Sequence, residues 1–177
     1  GLPARGSADG MSERESLLVL IIDDSPEDRE LYCRLLRRDP HHEYEIIETD
    51  SGEEGLDICR RELPDCVLLD YRLPDLDGLG FLKELGESGQ PSRIAVVMLT
   101  GQGAHDVDRA AMESGAQDYL VKEQIDAGLL ARTIRHAVDR QRTEGELRYL
   151  KANLEQRVAE RTEELKRLNT SLLQRVE

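Results

Sequence analysis

Three unbroken aliphatic runs constrain this chain more than any other feature: LLVLII at residues 17–22, CVLL at 66–69 and IAVVML at 94–99. A strand that is apolar at every position is buried on both faces, which is the habit of a parallel sheet covered by helices. The segments between the runs read as those helices. Pro26 suits a first helical position, with Glu27 and Asp28 in the first turn, where the helix dipole favours negative charge. Leu31, Leu35 and Leu36 form its apolar stripe, and Asp39-Pro40 ends it. Residues 44–48 read as a second, more polar strand, and 53–63 as a second helix stopped by Pro64. Residues 77–87 read as a helix with Leu79, Leu82 and Leu85 turned inward. A helix after the third run closes at Ser114, with Gly115 as its C-cap. Residues 116–121 read as a fifth strand, and a last helix starts near Asp126. Strand then helix, five times over, predicts an α/β fold with a five-stranded parallel, doubly wound sheet.

Right-handed crossovers bring the C-terminal ends of parallel strands to one edge, and ligands bind in the crevice there. The residues at those ends are chemically specific. The first strand stops at Asp23 and Asp24, the third at Asp70, the fourth at Thr100 and the fifth at Lys122. Clustered carboxylates repel one another, and a hard divalent cation relieves that repulsion. Mg²⁺ takes oxygen ligands and shares them with phosphate. A hydroxyl and an ammonium beside it suit the oxygens of a transferring phosphoryl group. An aspartate can itself be the nucleophile and form an acyl phosphate. The set therefore reads as a phosphoryl-acceptor site. A plain cation site would not need Thr100 or Lys122.

Charge narrows the partners. The chain carries a net charge of −13 at pH 7. Residues 144–177 hold seven acidic and seven basic residues, so residues 1–143 carry the whole excess. Such a surface repels phosphate backbones and argues against direct nucleic-acid binding. Aromatics are only 3%, too few for a base-stacking platform. No stretch approaches the roughly 20 apolar residues of a membrane span, so a cytoplasmic protein is expected. Cys33, Cys59 and Cys66 lack metal-ligand spacing and read as buried small hydrophobes in a reducing compartment. His41, His42, His105 and His136 have no ligand partners at metal spacing and read as solvated or structural residues. Residues 1–10 (GLPARGSADG) read as a cloning remnant ahead of Met11.

The pieces IIDDSPEDRE, LLDYRLPDLDG, VVMLTGQG and GAQDYLVK resemble the response-regulator receiver domain of two-component signalling, over about residues 17–142. The resemblance implies a flavodoxin-like receiver fold over residues 11–142. It implies Asp70 as phosphoacceptor, supplied by a histidine kinase or phosphotransfer protein. It implies Mg²⁺ held by Asp24, Asp23, Asp70 and the backbone carbonyl of Arg72. Thr100 and Lys122 would meet phosphoryl oxygens, and Tyr119 occupies the place of a switching aromatic, though a half-buried strand residue is an equal reading. Pro74 and Gly78 resemble the turn after the acceptor strand, and Gly101 leaves access to Asp70. Arg72 and Gln102 stand where the family varies residues to tune phosphate lifetime. One departure is Glu123, where the family carries a proline after the lysine. A cis non-proline bond costs about 3–4 kcal/mol, so a trans bond is expected there.

The C-terminal segment carries a second signal. Leu130, Ile134 and Ala137 lead into Leu147, Leu150, Leu154, Val158, Leu165, Leu168, Leu172 and Val176, spaced by threes and fours with a gap at Arg161-Thr162. No proline follows Pro91, and only Gly145 weakens the helix, by about 1 kcal/mol relative to Ala. Balanced charges flank the stripe, so residues 143–177 read as a coiled coil joining two copies in parallel. The alternative is one amphipathic helix folded back on the domain. The wording LEQRVAERTEELKRLN resembles signalling helices that precede output domains, and the pattern reaches Glu177 without a cap, so an effector domain is expected beyond it.

Two competing functions are disfavoured. Aspartate-dependent phosphatases carry a second Asp two residues after the nucleophile, where this chain has Arg72, so the chain is expected not to be an enzyme acting on foreign substrates. A phosphate-independent scaffold would not need the complete acidic, Thr and Lys set.

Overall fold

The computed structural model describes residues 15–87, 93–101 and 105–176. In chain order the elements are β1 (Ser16–Ile22), α1 (Pro26–Leu36), β2 (Glu43–Thr49), α2 (Gly52–Glu62), β3 (Cys66–Asp70), α3 (Gly78–Glu87), β4 (Ala95–Thr100), α4 (His105–Glu113), β5 (Asp118–Val121) and α5 (Ala127–Val176). A single 3₁₀ turn, Lys122–Gln124, joins β5 to α5. All strand pairs are parallel and the sheet order is β2-β1-β3-β4-β5. The order reverses beside β1, so the crevice between β1 and β3 is the topological switch point where such sheets hold ligands.

The aliphatic runs are buried as their composition requires. Every residue of β3 and β4 is buried. Alternate side chains of the sheet feed two cores. Val19, Ile21, Leu68, Val97 and Leu99 pack with Leu36 of α1 and with Leu130 and Ile134 of α5. Leu20, Ile22, Val67, Leu69 and Met98 pack with Leu56 of α2 and with Phe81 and Leu85 of α3. β2 stands at the edge, is mostly half-exposed, and is accordingly the most polar strand.

Helix ends follow local chemistry. The Ser25 hydroxyl accepts from the Asp28 amide and caps α1, and Ser51 does the same for α2 through Glu54. Gly115 has φ +106°. Its amide donates to Met112 O at 3.3 Å, and the Ala116 amide donates to Ala111 O at 3.0 Å. That pair of bonds is a Schellman closure, and its left-handed residue explains the glycine. The closure also uses Ala116 as part of the turn, so β5 begins at Asp118 rather than at residue 116. The Lys122–Glu123 bond is trans, since the described residues contain no cis peptide. All three cysteines are free and buried, and burial pushes the Cys59 thiol up to about 12. His42 is structural, its Nδ1 donating to Asp39 Oδ2 (3.2 Å), which also accepts from the Tyr44 hydroxyl at 2.6 Å. His105 opens α4, and no described helix is long and apolar enough to cross a membrane.

α5 is one continuous helix of 50 residues. Its first four turns pack into the core through Leu130, Thr133, Ile134, Ala137, Val138 and Gln141. Beyond Gln141 no described residue is buried. Gly145 does not interrupt it.

Candidate functional site

The acids, hydroxyl and amine expected at the strand ends do meet there. Asp23 directly follows β1, Asp70 is the last residue of β3, Thr100 the last of β4, and Lys122 follows β5. Asp70 lies opposite Leu99 in the ladder, so Thr100 is one residue further along the neighbouring strand. Asp23, Asp24 and Asp70 offer carboxylate oxygens that all lie within 4.8 Å of one another. Asp23 is 0% and Asp70 5% exposed, whereas Asp24 is exposed. Thr100 is 1% exposed.

Lys122 is the cation that holds these acids together. Its Nζ donates to Asp23 Oδ2 at 2.8 Å and to Asp28 Oδ2 at 3.0 Å, and lies 3.4 Å from Asp70 Oδ2. Burial alone would lower the ammonium's pKa, but the hydrogen bonds to Asp23 and Asp28 and the charges of Asp70 and Asp23 outweigh it and raise it. Asp70 is pushed the opposite way. Desolvation, then the neighbouring charge of Asp23, lifts its carboxyl to about 6 against the pull of Lys122 and the Arg72 amide. The Arg72 amide donates to Asp70 Oδ1 at 3.2 Å. Asp23 is fixed from three sides: Oδ1 accepts from the Ser25 amide at 2.9 Å, Oδ2 from Lys122, and its carbonyl from Arg29 Nη1 at 2.6 Å.

Asp28 and Arg29 escaped the sequence reading. By sequence Asp28 is only a first-turn acid of α1, and nothing singles out Arg29. A signal was present, because every helix that follows a strand in this topology begins at the functional edge. An acid in the first turn of α1 is therefore aimed at the site.

A second unforeseen feature holds the loop after Asp70. The Asp75 carboxylate accepts from the Ser51 hydroxyl at 2.9 Å and from the amides of Gly52 (3.1 Å) and Glu53 (3.0 Å), at the start of α2. Burial is the largest single influence and raises this carboxyl, but the hydrogen bonds from Glu53, Gly52 and Ser51 together prevail and hold it at about 2. Asp75→Ala removes the tie and leaves two helix-end donors to water. We expect a loss of about 1–2 kcal/mol in urea unfolding at pH 7, by analogy with an N-cap deletion. Because the folded carboxyl titrates below its unfolded value, the difference persists above pH 4. It shrinks as pH falls toward 2, the sign expected for a depressed acid.

The other expected positions fall as follows. Tyr119 is 37% exposed on β5, between the half-buried Asp118 and the buried Leu120. Gly101 borders open space, with no atom within 4 Å of where a Cβ would stand. A Cβ at Gly78 would stand 2.7 Å from Met98 Sδ and 3.1 Å from the Tyr71 backbone, so the lack of a side chain lets α3 start against the acceptor strand. Gln102 lies outside the described residues.

Residues 19–134 match the response regulator receiver domain family, about two-thirds of the chain. The chain belongs to that family. The receiver domain is 30% identical over 116 residues to protein PilH of Pseudomonas aeruginosa, covering 66% of this chain and 93% of PilH. It is 32% identical over 114 residues to the phosphate regulon transcriptional regulatory protein PhoB of Escherichia coli, covering 64% of this chain and 48% of PhoB. The chain thus spans about half the length of PhoB. Among solved structures, a response regulator receiver domain protein from Clostridium thermocellum superposes with a TM-score of 0.63 at 30% identity, over 72% of this chain and 98% of that one. The receiver domain is a signalling module, and Asp23, Asp24 and Asp70 form the acidic group in which such domains typically bind Mg²⁺.

Proposed function

We propose that Asp70 accepts a phosphoryl group from a phosphohistidine of a kinase or phosphotransfer protein, and that α5 passes the change to an effector. The observation that carries the first part is the environment of Asp70. Its carboxylate ends a buried strand within reach of two further carboxylates and 3.4 Å from a lysine. In the reaction an Asp70 oxygen attacks phosphorus, the P–N bond to the imidazole breaks, and its electron pair returns to the ring nitrogen, which takes up a proton. Thr100 donates its hydroxyl to one phosphoryl oxygen and Lys122 pairs with another. The three converging carboxylates of Asp23, Asp24 and Asp70 are hard oxygen donors that fit Mg²⁺, and with the Arg72 carbonyl they would make a four-oxygen holding set. Bound there, Mg²⁺ supplies neutralising charge for the phosphoryl oxygens. A small phosphoramidate with Mg²⁺ should add one phosphoryl group, read by intact mass. No mass gain over hours would contradict the proposal.

The read-out rests on α5. Gln117, beside β5, donates through its side-chain amide to Gln141 and to Glu144 Oε2 (3.2 Å), and Arg140 donates to its carbonyl at 3.1 Å. This polar joint ties the start of β5, the strand that carries Tyr119 and whose far end pairs with Thr100, to the helix as it leaves the domain. Movement of Thr100 toward phosphate, followed by Tyr119, would reach α5 through it.

About 50 Å of helix extends past the core. Along it Leu147, Leu150, Leu154, Leu165, Leu168 and Leu172 are each more than half exposed. A stripe of that length is covered by a second copy of the same helix in a parallel homodimer, with residues 143–177 as the signalling coiled coil. Light scattering at tens of micromolar should give the dimer mass, and Leu150→Glu with Leu154→Glu the monomer mass. Equal masses for both would refute the dimer.

A further inference from the structure

Asp28 is the residue whose place in the site has no assigned purpose, and we infer that it is a positioning residue that competes with the phosphoryl group for Lys122 and so sets how tightly the site holds phosphate. This inference rests on the phosphoacceptor reading of Asp70.

The geometry is asymmetric. Lys122 Nζ makes its two hydrogen bonds to Asp23 and Asp28, at 2.8 and 3.0 Å, while Asp70 is the more distant neighbour at 3.4 Å. The ammonium is therefore drawn toward α1 and away from the oxygen that would carry phosphate. Asp23 and Asp28 differ in what else they can do. Asp23 belongs to the group of carboxylates that converge within 4.8 Å, so a divalent cation in that group competes with Lys122 for it. Asp28 is not in that group. With the cation in place, Asp28 remains the carboxylate that still claims the ammonium. A phosphoryl oxygen on Asp70 needs the same donor, so each partner's gain is the other's loss. Asp28 also places a negative charge beside an incoming dianion, which acts in the same direction.

Asp28 can hold this place because α1 starts at the functional edge. Ser25 caps the helix by accepting from the Asp28 amide, at 3.2 Å. That cap fixes the backbone of Asp28, and its side chain, 36% exposed, spans from the helix to Lys122. Glu27, one residue earlier, instead accepts from the Ser25 hydroxyl at 3.2 Å and makes no contact with Lys122 among the described residues. The two neighbouring acids thus carry equal charge but unequal access to the lysine.

The test uses the whole chain with Mg²⁺ and beryllium fluoride, a non-transferable phosphoryl mimic, titrated by fluorine NMR. Asp28→Asn should bind the mimic roughly tenfold more tightly than the parent, the scale of one removed competing charge at close range. Asp28→Ala should shift it in the same direction. Glu27→Gln, which deletes the same charge without touching Lys122, should stay within about twofold. A purely structural role for Asp28 would weaken binding in both Asp28 variants. Unchanged or weaker binding in Asp28→Asn and Asp28→Ala overturns the inference, as does an equal gain in Glu27→Gln. If the parent protein itself fails to take the mimic, the reading of Asp70 falls, and this inference with it.

Discussion

Asp70→Asn will take up no phosphoryl group, and without metal it will be more stable than the parent protein at pH 7.5. The first half follows from the chemistry, since an amide offers no nucleophilic carboxylate oxygen. The second is less intuitive, because site residues are often imagined as structural supports. In the metal-free fold Asp70 is buried beside Asp23, and its carboxyl is raised to about 6 from an ordinary value of 3.8. A folded state that raises an acid's pKa binds its proton more tightly than the unfolded chain does. Stability therefore falls as pH climbs from 3.8 to about 6, and the full penalty applies above that window. At about 1.4 kcal/mol per unit the penalty is of order 3 kcal/mol. The Asn amide must itself be satisfied, so we expect a net gain of about 1–3 kcal/mol. Urea unfolding in EDTA at pH 7.5 and pH 4 checks it. The gain should be present at the higher pH and largely gone at the lower, and a less stable Asp70→Asn at pH 7.5 would contradict the electrostatic account.

Lys122→Ala should do the reverse. Its ammonium touches Asp23, Asp28 and Asp70, and Asp23 is fully buried. Deleting it strands carboxylates without their cation. Removing one partner of a buried pair costs about 3–5 kcal/mol. Lys122 is itself 22% exposed and Asp28 36%, so solvent screening brings the expected loss to about 2–3 kcal/mol. The same variant should bind Mg²⁺ more tightly, because a competing positive charge has left the carboxylates. Millimolar Mg²⁺ should therefore restore much of the lost stability, while phosphoryl transfer stays slow for want of the lysine. Thermal melts with and without Mg²⁺ separate these effects. A Lys122→Ala protein whose melt ignores Mg²⁺ would show that the three acids do not form a cation site.

These two variants show why so much of the site was legible in advance. Asp23, Asp70, Thr100 and Lys122 are each the first polar residue after an apolar strand. In a parallel sheet that position is fixed by topology, whatever the sequence between. Asp28 and Asp75 lie inside a helix turn and a loop, where no periodicity says which way a side chain points. Their partners, Lys122 and the start of α2, are far away in sequence and became visible only once the chain had folded. β5 starts at Asp118 rather than at residue 116 for a related reason. Ala116 and Gln117 continue an apolar-looking strand on paper, yet the backbone bonds that close α4 claim Ala116 first. The length of α5 was readable because nothing in residues 127–176 stops a helix, neither proline nor a capping glycine.

Locating the phosphoryl group decides whether Asp70 is the acceptor. The protein is treated with a small phosphoramidate and Mg²⁺, reduced with borohydride, which converts an aspartyl phosphate to homoserine, and mapped by tandem mass spectrometry. Homoserine is expected at position 70 alone, and none in Asp70→Asn. Homoserine at Asp23, Asp24 or Asp28, or a phosphoryl group retained on Asp70→Asn, would contradict it.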